Sequence, residues 1–106
     1  MVHFVKDIED YNAQLASANG KPIVIDFTAT WCGPCKMIAP VFESLAKEFS
    51  GVVFLKVDVD DAEDVATKFE VQAMPTFVVV VNGEKKETFS GASETKLRAL
   101  VEKYAH

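Results

Sequence analysis

The sequence predicts an α/β domain in which helices cover both faces of a central mixed β-sheet. Apolar runs alternate with amphipathic runs in the order βαβαβαββα, and strands that alternate with helices pair in parallel through right-handed crossovers. The nearly continuous apolar run at 22–28 is typical of a central strand buried on both faces. Asn82-Gly83, between two strand-like runs, predicts a late hairpin that adds an antiparallel pair.

Length and composition indicate one globular unit. The chain has 106 residues, of which 49% are hydrophobic and 25% charged, which suits one domain with one core. A net charge of −5 argues against a nucleic-acid partner. No stretch approaches the roughly 20 apolar residues of a membrane span, and residues 1–6 lack the apolar region of a signal peptide. We therefore expect a single domain over 1–106, cytoplasmic, with no membrane partner.

The ends of the predicted helices follow from capping and breaking residues. Asp7 is placed to cap the first helix and Asn19-Gly20 to end it. The second helix begins at the cysteines and runs through Pro40, which we expect to kink it. Ser93 is placed to cap the last helix. The predicted strands cover 3–5, 22–28, 52–59, 76–81 and the run from the Asn82-Gly83 turn to about Phe89.

An acidic run between residues 58 and 64 raises the question of a calcium site. It does not fit an EF-hand loop: counted from Asp58, Glu63 stands where glycine is required and Phe69 where the bidentate glutamate belongs. We interpret the acidic residues as caps and first-turn residues of a short helix that uses Val65, Ala66 and Phe69 as its apolar positions.

The pentapeptide Trp31-Cys32-Gly33-Pro34-Cys35 contains both cysteines of the chain. Two thiols three residues apart at a helix start lie on one turn, close enough to form a disulfide and reopen it. The free N–H groups and dipole of a helix start favour a thiolate, which is the nucleophile in disulfide exchange. We expect Cys32 to point outward and Cys35, one turn in, to be shielded. Pro34 suits a first turn, and Gly33 allows a partner backbone to approach closely.

Three other interpretations of the cysteine pair compete with that of a redox motif. A metal site needs about four ligands, and the only further soft candidates are His3 and His106, near opposite ends of the chain. A purely structural disulfide in so short a loop stabilises by only about 2 kcal/mol. A non-catalytic binding module or holdase does not require both thiols. The spacing beside a βαβ pattern therefore favours a redox role without metal.

The segment Ala29-Thr30-Trp31-Cys32-Gly33-Pro34-Cys35-Lys36-Met37 resembles the active site of the thioredoxin family, in its eukaryotic cytosolic form. Further segments fall in the family's order and spacing, so that the resemblance covers nearly all of the chain: 24–27, Pro40, 57–60, 74–77 and 91–92. The resemblance implies a thioredoxin-like fold, with a five-stranded mixed sheet and four helices, and protein disulfide reductase activity.

The expected chemistry has two exchanges. Cys32, as a thiolate, attacks a disulfide in a partner protein and forms a mixed disulfide. Cys35 then attacks Cys32 and releases the reduced partner. Pro34 beside Cys35 offers neither charge nor donor, whereas a histidine there would stabilise the thiolate and make the pair more oxidising. The motif therefore favours a reductant over an oxidase or isomerase.

The resemblance also implies an electron donor and a set of partners. The donor is the NADPH-dependent flavoprotein thioredoxin reductase, and the acceptors are disulfide-containing proteins such as peroxiredoxins, methionine sulfoxide reductase and ribonucleotide reductase. The chain itself has no G-x-G-x-x-G nucleotide motif, so we expect it to need no cofactor. We further expect the protein to be a monomer. Its expected role in the cell is redox homeostasis.

Three segments are candidates for binding the partner. Trp31 is either an aromatic packed at the helix mouth or a contact at the partner surface. Only about one X–Pro bond in twenty is cis in folded proteins, but the resemblance implies a cis Pro75 beside the dithiol. Met74 would then offer backbone groups to an extended partner segment. Gly91 and Ala92 would form the opposite lip.

Asp26 is a carboxylate within a strand of core residues. Burial disfavours the charged form and should raise its pKa above the unfolded value of about 3.9. Lys56, the polar residue in another core strand, would oppose that rise. Two interpretations stay open: Asp26 and Lys56 form a satisfied buried ion pair, or Asp26 accepts the Cys35 proton, through water, during the second exchange.

Overall fold

The computed structural model describes residues 1–105, and His106, weighed above only as a potential metal ligand, lies outside the described residues. The predicted element order is confirmed. The strands are β1 (Val2–Phe4), β2 (Ile23–Thr28), β3 (Val53–Asp58), β4 (Thr76–Val81) and β5 (Glu84–Ser90). The helices are α1 (Ile8–Ala18), α2 (Gly33–Glu48), α3 (Glu63–Lys68) and α4 (Glu94–Tyr104).

The strands form one mixed sheet in the order β1-β3-β2-β4-β5. Strand β3 pairs in parallel with β1 and β2, whereas β4 pairs antiparallel with β2 and β5. This arrangement confirms the predicted combination of parallel pairs and a late antiparallel hairpin. Strand β2 is central, which explains why its sequence is apolar almost throughout.

Two apolar cores lie on opposite faces of the sheet. Helices α1 and α3 cover one face and α2 and α4 the other. Successive side chains of a strand point to opposite faces, and in β2 Ile25 and Phe27 belong to the α1/α3 core while Val24 belongs to the α2/α4 core. Asp26 therefore points toward α2, the helix that begins at the cysteines.

The predicted helix and hairpin ends are confirmed by their hydrogen bonds and dihedral angles. Asp7 accepts a hydrogen bond from the Asp10 N–H at 2.8 Å, and Ser93 accepts one from the Lys96 N–H at 3.2 Å. Asn19 ends α1 in the left-handed conformation. Asn82 and Gly83 have φ of 52° and 80°, as a two-residue hairpin turn with two positive φ angles requires.

The acidic run differs from its prediction in one respect. Glu63 and Asp64 stand in the first turn of α3 as expected, but the N-cap is Ala62, which makes no side-chain cap. The expected acidic cap was wrong because the neighbouring carboxylates bind elsewhere. Asp58 accepts from the Asp60 N–H at 2.8 Å at the end of β3, and Asp64 accepts from the Ile8 N–H at 2.9 Å. The run therefore shapes the β3–α3 connection and joins it to α1.

Across residues 1–105, no helix combines the length and the apolar character needed to cross a bilayer.

Candidate active site

The two cysteines lie at the start of α2 and are joined by a disulfide. Cys32 is the N-cap residue, and its Sγ accepts a hydrogen bond from the Cys35 N–H at 3.2 Å. Gly33 and Pro34 form the beginning of the first turn, where the missing N–H of proline leaves no helix hydrogen bond unmade. A negative charge on Cys32 would be stabilised by this N–H group and by the helix dipole.

Both cysteines are buried in the disulfide form. Cys35 is 4% exposed and therefore shielded, as expected. Cys32 is 5% exposed, so the expectation of an outward Cys32 was wrong for this form. The reason is the packing of Val59 and Met74 against the disulfide. The Cys32 Sγ lies 3.8 Å from the Met74 carbonyl oxygen. The loop that leads into β4 therefore lies directly against the sulfur.

The two loops predicted as lips of a partner site lie together. The Met74–Pro75 peptide bond is cis, as the family resemblance implied. The Gly91 N–H donates to the Pro75 carbonyl oxygen at 2.9 Å, and this hydrogen bond ties the 91–92 loop to the loop beside Cys32. Gly91 has a φ of 111°, a conformation that favours glycine. Ala92 is exposed next to it.

Trp31 projects from the surface beside the disulfide. Its side chain is 66% exposed, so burial in a packed helix mouth does not account for it. The indole Nε1 donates a hydrogen bond to Asp60 Oδ2 at 2.9 Å. This contact of Asp60 was not predicted, because nothing in the sequence of the acidic run distinguishes Asp60 from the neighbouring carboxylates.

Asp26 is buried without a hydrogen-bond partner. It is 1% exposed, and among the described residues neither of its carboxylate oxygens has a hydrogen-bond partner. Desolvation by burial raises the pKa of Asp26 to about 7, and the positive charge of Lys56 opposes this rise. The predicted direction of the shift is thus confirmed. A group with this pKa gains and loses a proton near neutral pH, as a general base must.

Lys56 stands opposite Asp26 in the register of β3 and β2, but the two side chains form no ion pair. The alternative of a satisfied buried ion pair is therefore contradicted. The Lys56 Nζ instead lies 5.5 Å from the centroid of the Phe4 ring, within cation–π range. The contact of Phe4 with Lys56 was not predicted, because it arises from the β1–β3 register, which the sequence of either strand does not reveal.

An open cleft of about 370 Å³ lies between Cys35 and the Phe4–Lys56 pair. Its lining includes Cys35 and Ala39 of α2 on one side, and Phe4, Lys56 and Asp58 on the other. The cleft is large enough for several water molecules. The Cys35 side of the disulfide and the Lys56 side chain thus face the same opening. Within residues 1–105, no group of three or more metal-ligating side chains is placed to hold a metal ion.

A disulfide between two cysteines at a helix N-terminus, with a loop backbone against one of the sulfurs, is the site of a thiol–disulfide oxidoreductase. Comparison with known proteins identifies the family. The thioredoxin family model matches residues 2–103, and the chain belongs to the thioredoxin family. It carries the redox-active cysteine pair on which the family's activity depends.

Relatives and solved structures agree over nearly the whole chain. The chain is 51% identical to thioredoxin of Mus musculus over 105 residues, covering 99% of this chain and 100% of that protein. It is 52% identical to thioredoxin of Gallus gallus over 101 residues, covering 95% of this chain and 96% of that one. The X-ray structure of Fasciola hepatica thioredoxin superposes with a TM-score of 0.94 at 46% identity, covering 96% and 98% of the two chains.

Proposed function

We propose that this thiol–disulfide oxidoreductase works as a protein disulfide reductase, with NADPH-dependent thioredoxin reductase as its electron donor, in cytoplasmic redox homeostasis. One observation carries the proposal. Cys32 caps α2, and its Sγ accepts a hydrogen bond from the Cys35 N–H at 3.2 Å. This arrangement would stabilise a thiolate on Cys32 in the reduced form. The neighbouring Pro34 supplies no cation that would bias the pair toward oxidation.

Cys32 carries out the first exchange. Its thiolate attacks one sulfur of a partner disulfide, so that a Cys32–partner bond forms and the partner's own S–S bond breaks. The other partner sulfur leaves with the bonding electron pair as a thiolate and takes a proton from solvent. One partner sulfur is then a free thiol, and the other is bonded to Cys32 in a mixed disulfide.

Cys35 carries out the second exchange, with Asp26 as the base. The Cys35 thiol passes its proton through water to the Asp26 carboxylate, and the resulting thiolate attacks the Cys32 Sγ. The Cys32–Cys35 disulfide forms, and the Cys32–partner bond breaks. The partner sulfur leaves as a thiolate and is protonated, so the partner gains two electrons and two protons in total while the cysteine pair is oxidised. The burial of Asp26 and its raised pKa support this assignment.

The surface beside the disulfide supports binding of an extended partner segment. The Met74 backbone lies against the Cys32 sulfur, where it can pair with a partner strand in the manner of strand addition. Pro75 fixes that loop, Gly91 and Ala92 form the opposite lip, and the exposed Trp31 ring is the proposed apolar contact. Lys56 supports the proton transfer from a distance, because its charge opposes the rise of the Asp26 pKa without forming an ion pair with the carboxylate.

The expected acceptors are disulfide-containing proteins, with peroxiredoxins, methionine sulfoxide reductase and ribonucleotide reductase as the candidates that the family suggests. We propose that the chain acts as a monomer formed by one domain and without a cofactor of its own. The net charge of −5 disfavours nucleic acid as a partner.

Reduction of insulin disulfides tests the proposal. With NADPH and thioredoxin reductase present, adding the protein should accelerate insulin reduction and NADPH consumption together. The double variant Cys32→Ser/Cys35→Ser is the matched control and should give the rate of the reductase alone. An unchanged rate with the wild-type protein would refute the reductase function and leave a binding module as the remaining interpretation.

A further inference from the structure

Phe4 is an exposed aromatic residue on the edge strand of the sheet. Its side chain is 60% exposed and contributes to neither apolar core. Its backbone pairs with that of Lys56 in the β1–β3 register, and the Lys56 Nζ lies 5.5 Å from its ring centroid. The ring therefore contacts the one basic side chain that the sheet buries.

Lys56 lies between two groups that attract its ammonium. On β2 its register partner is Asp26, whose carboxylate oxygens have no hydrogen-bond partner among the described residues. On β1 its partner is Phe4. The lysine side chain is long and flexible enough to reach in either direction, and the structure shows the ammonium on the Phe4 side.

We propose that Phe4 is a positioning residue for the thiol–disulfide exchange, because its ring holds the Lys56 ammonium on the β1 side of the cleft and away from the Asp26 carboxylate. This inference rests on the role of Asp26 proposed above. A direct Lys56–Asp26 ion pair would hold Asp26 ionised at neutral pH and weaken its ability to take up a proton from Cys35. Phe4 thus allows the Asp26 carboxyl group to change between its ionised and protonated forms near neutral pH.

The other elements that face Asp26 contribute little charge. Strand β4 places Phe77 opposite it, and α2 and α4 pack apolar side chains such as Ile38 and Leu97 on this face. Lys36 and Asp58 line the same cleft, and only the charge of Lys56 acts appreciably on the pKa of Asp26. Burial thus raises the pKa of Asp26, and the position of this one ammonium sets how strongly a charge opposes that rise.

The test is a pH titration of the Asp26 carboxyl carbon by NMR in the disulfide form. Phe4→Leu keeps an apolar side chain but removes the aromatic face, and it should lower the Asp26 titration midpoint by about one pH unit as the ammonium moves toward the carboxylate. Phe4→Trp restores an aromatic face and should leave the midpoint at its wild-type value.

Lys56→Met provides the matched background. In that variant the Asp26 midpoint should rise, and adding Phe4→Leu should then produce no further change. The proposal is overturned if Phe4→Leu leaves the wild-type midpoint in place, or if it shifts the midpoint equally in the Lys56→Met background. Because the titration needs neither a reductase nor a substrate, its outcome is independent of the insulin assay that tests the proposed function.

Discussion

Asp26 and Lys56 lie directly opposite each other on the parallel strands β2 and β3, yet the Lys56 ammonium lies over the Phe4 ring and not on the carboxylate. The carboxyl group is thus desolvated without being neutralised by an ion pair. Burial of a charge without compensation is costly, and the protein avoids much of that cost by raising the pKa of Asp26 to about 7. This relationship makes stability depend on the Asp26 proton, and the proposed second exchange uses the same group as its base.

The first prediction concerns the stability of Asp26→Asn. The folded pKa of Asp26, about 7, lies above the unfolded value of about 3.9. Between these two values the folded protein holds a proton on Asp26 that the unfolded chain has lost. The free energy of unfolding therefore falls as pH rises from about 4 to about 7. The full loss is on the order of 4 kcal/mol. The Asn side chain carries no such charge, so the variant should be more stable than wild type at pH 8, by a few kcal/mol at most.

Urea unfolding of both proteins at pH 4.5 and pH 8 measures this effect. The wild-type free energy of unfolding should fall over this interval relative to that of Asp26→Asn, with the other titrating groups common to both proteins. A difference between the two proteins that stays constant with pH would show that Asp26 has the same pKa in the folded and unfolded chains.

The second prediction is a pH dependence of the exchange reaction. Asp26 must be ionised to accept the Cys35 proton, so the single-turnover rate of partner reduction should rise with pH. It should reach half of its limiting value near the Asp26 pKa of about 7 and level off at higher pH. Asp26→Asn should lose this inflection and be slower at pH 8 by on the order of a hundredfold, the usual contribution of a general base. Rapid mixing of the reduced protein with a disulfide substrate, followed by acid quench and thiol counting, gives the rates. Equal profiles for the two proteins would remove Asp26 from the mechanism.

The third prediction separates the two cysteines. Cys32 is the helix-capping sulfur that accepts the Cys35 N–H, so Cys35→Ser should leave a competent nucleophile that cannot be released. Mixed disulfides with insulin or another disulfide protein should accumulate and appear on non-reducing gels. Cys32→Ser should trap none. Equal trapping by both variants would mean that the roles of nucleophile and resolving thiol are wrongly assigned.

The fourth prediction concerns the hydrogen bond between Trp31 and Asp60. Asp60→Ala removes the acceptor of the indole Nε1–H, a contact of 2.9 Å at the surface. The free energy of unfolding should fall by less than about 1.5 kcal/mol, since surface hydrogen bonds contribute little. The ring should become more mobile. Trp31 is the only tryptophan of the chain, so its fluorescence anisotropy reports this motion without labels.

Asp61→Ala is the control for this measurement, because it removes a neighbouring carboxylate of the same acidic run and leaves the indole contact intact. The control should retain the wild-type anisotropy. If Asp60→Ala does so as well, packing of the ring and not the hydrogen bond holds Trp31 in place. A slower reduction of insulin by Asp60→Ala, with an unchanged rate for Asp61→Ala, would support the proposed contact of Trp31 with the partner.

Local signals in the sequence were enough for the elements and for the dithiol. Alternating apolar runs determined which segments become strands and helices, because burial of apolar side chains follows the period of each element. Asp7 and Ser93 marked helix starts, because a short polar side chain satisfies free N–H groups there. The cysteine spacing by itself determined that the two sulfurs lie on one turn and are able to form a disulfide.

The tertiary structure decided how distant segments meet. The register between β2 and β3 sets Lys56 opposite Asp26, and the register between β1 and β3 sets Phe4 beside Lys56. Neither register can be read from one strand alone, because hydrogen bonding between strands leaves no local pattern that specifies the partner residue. The burial of Cys32 under Val59 and Met74 has the same origin: it depends on loops that approach from other parts of the chain, and only the packed fold brings them to the sulfur.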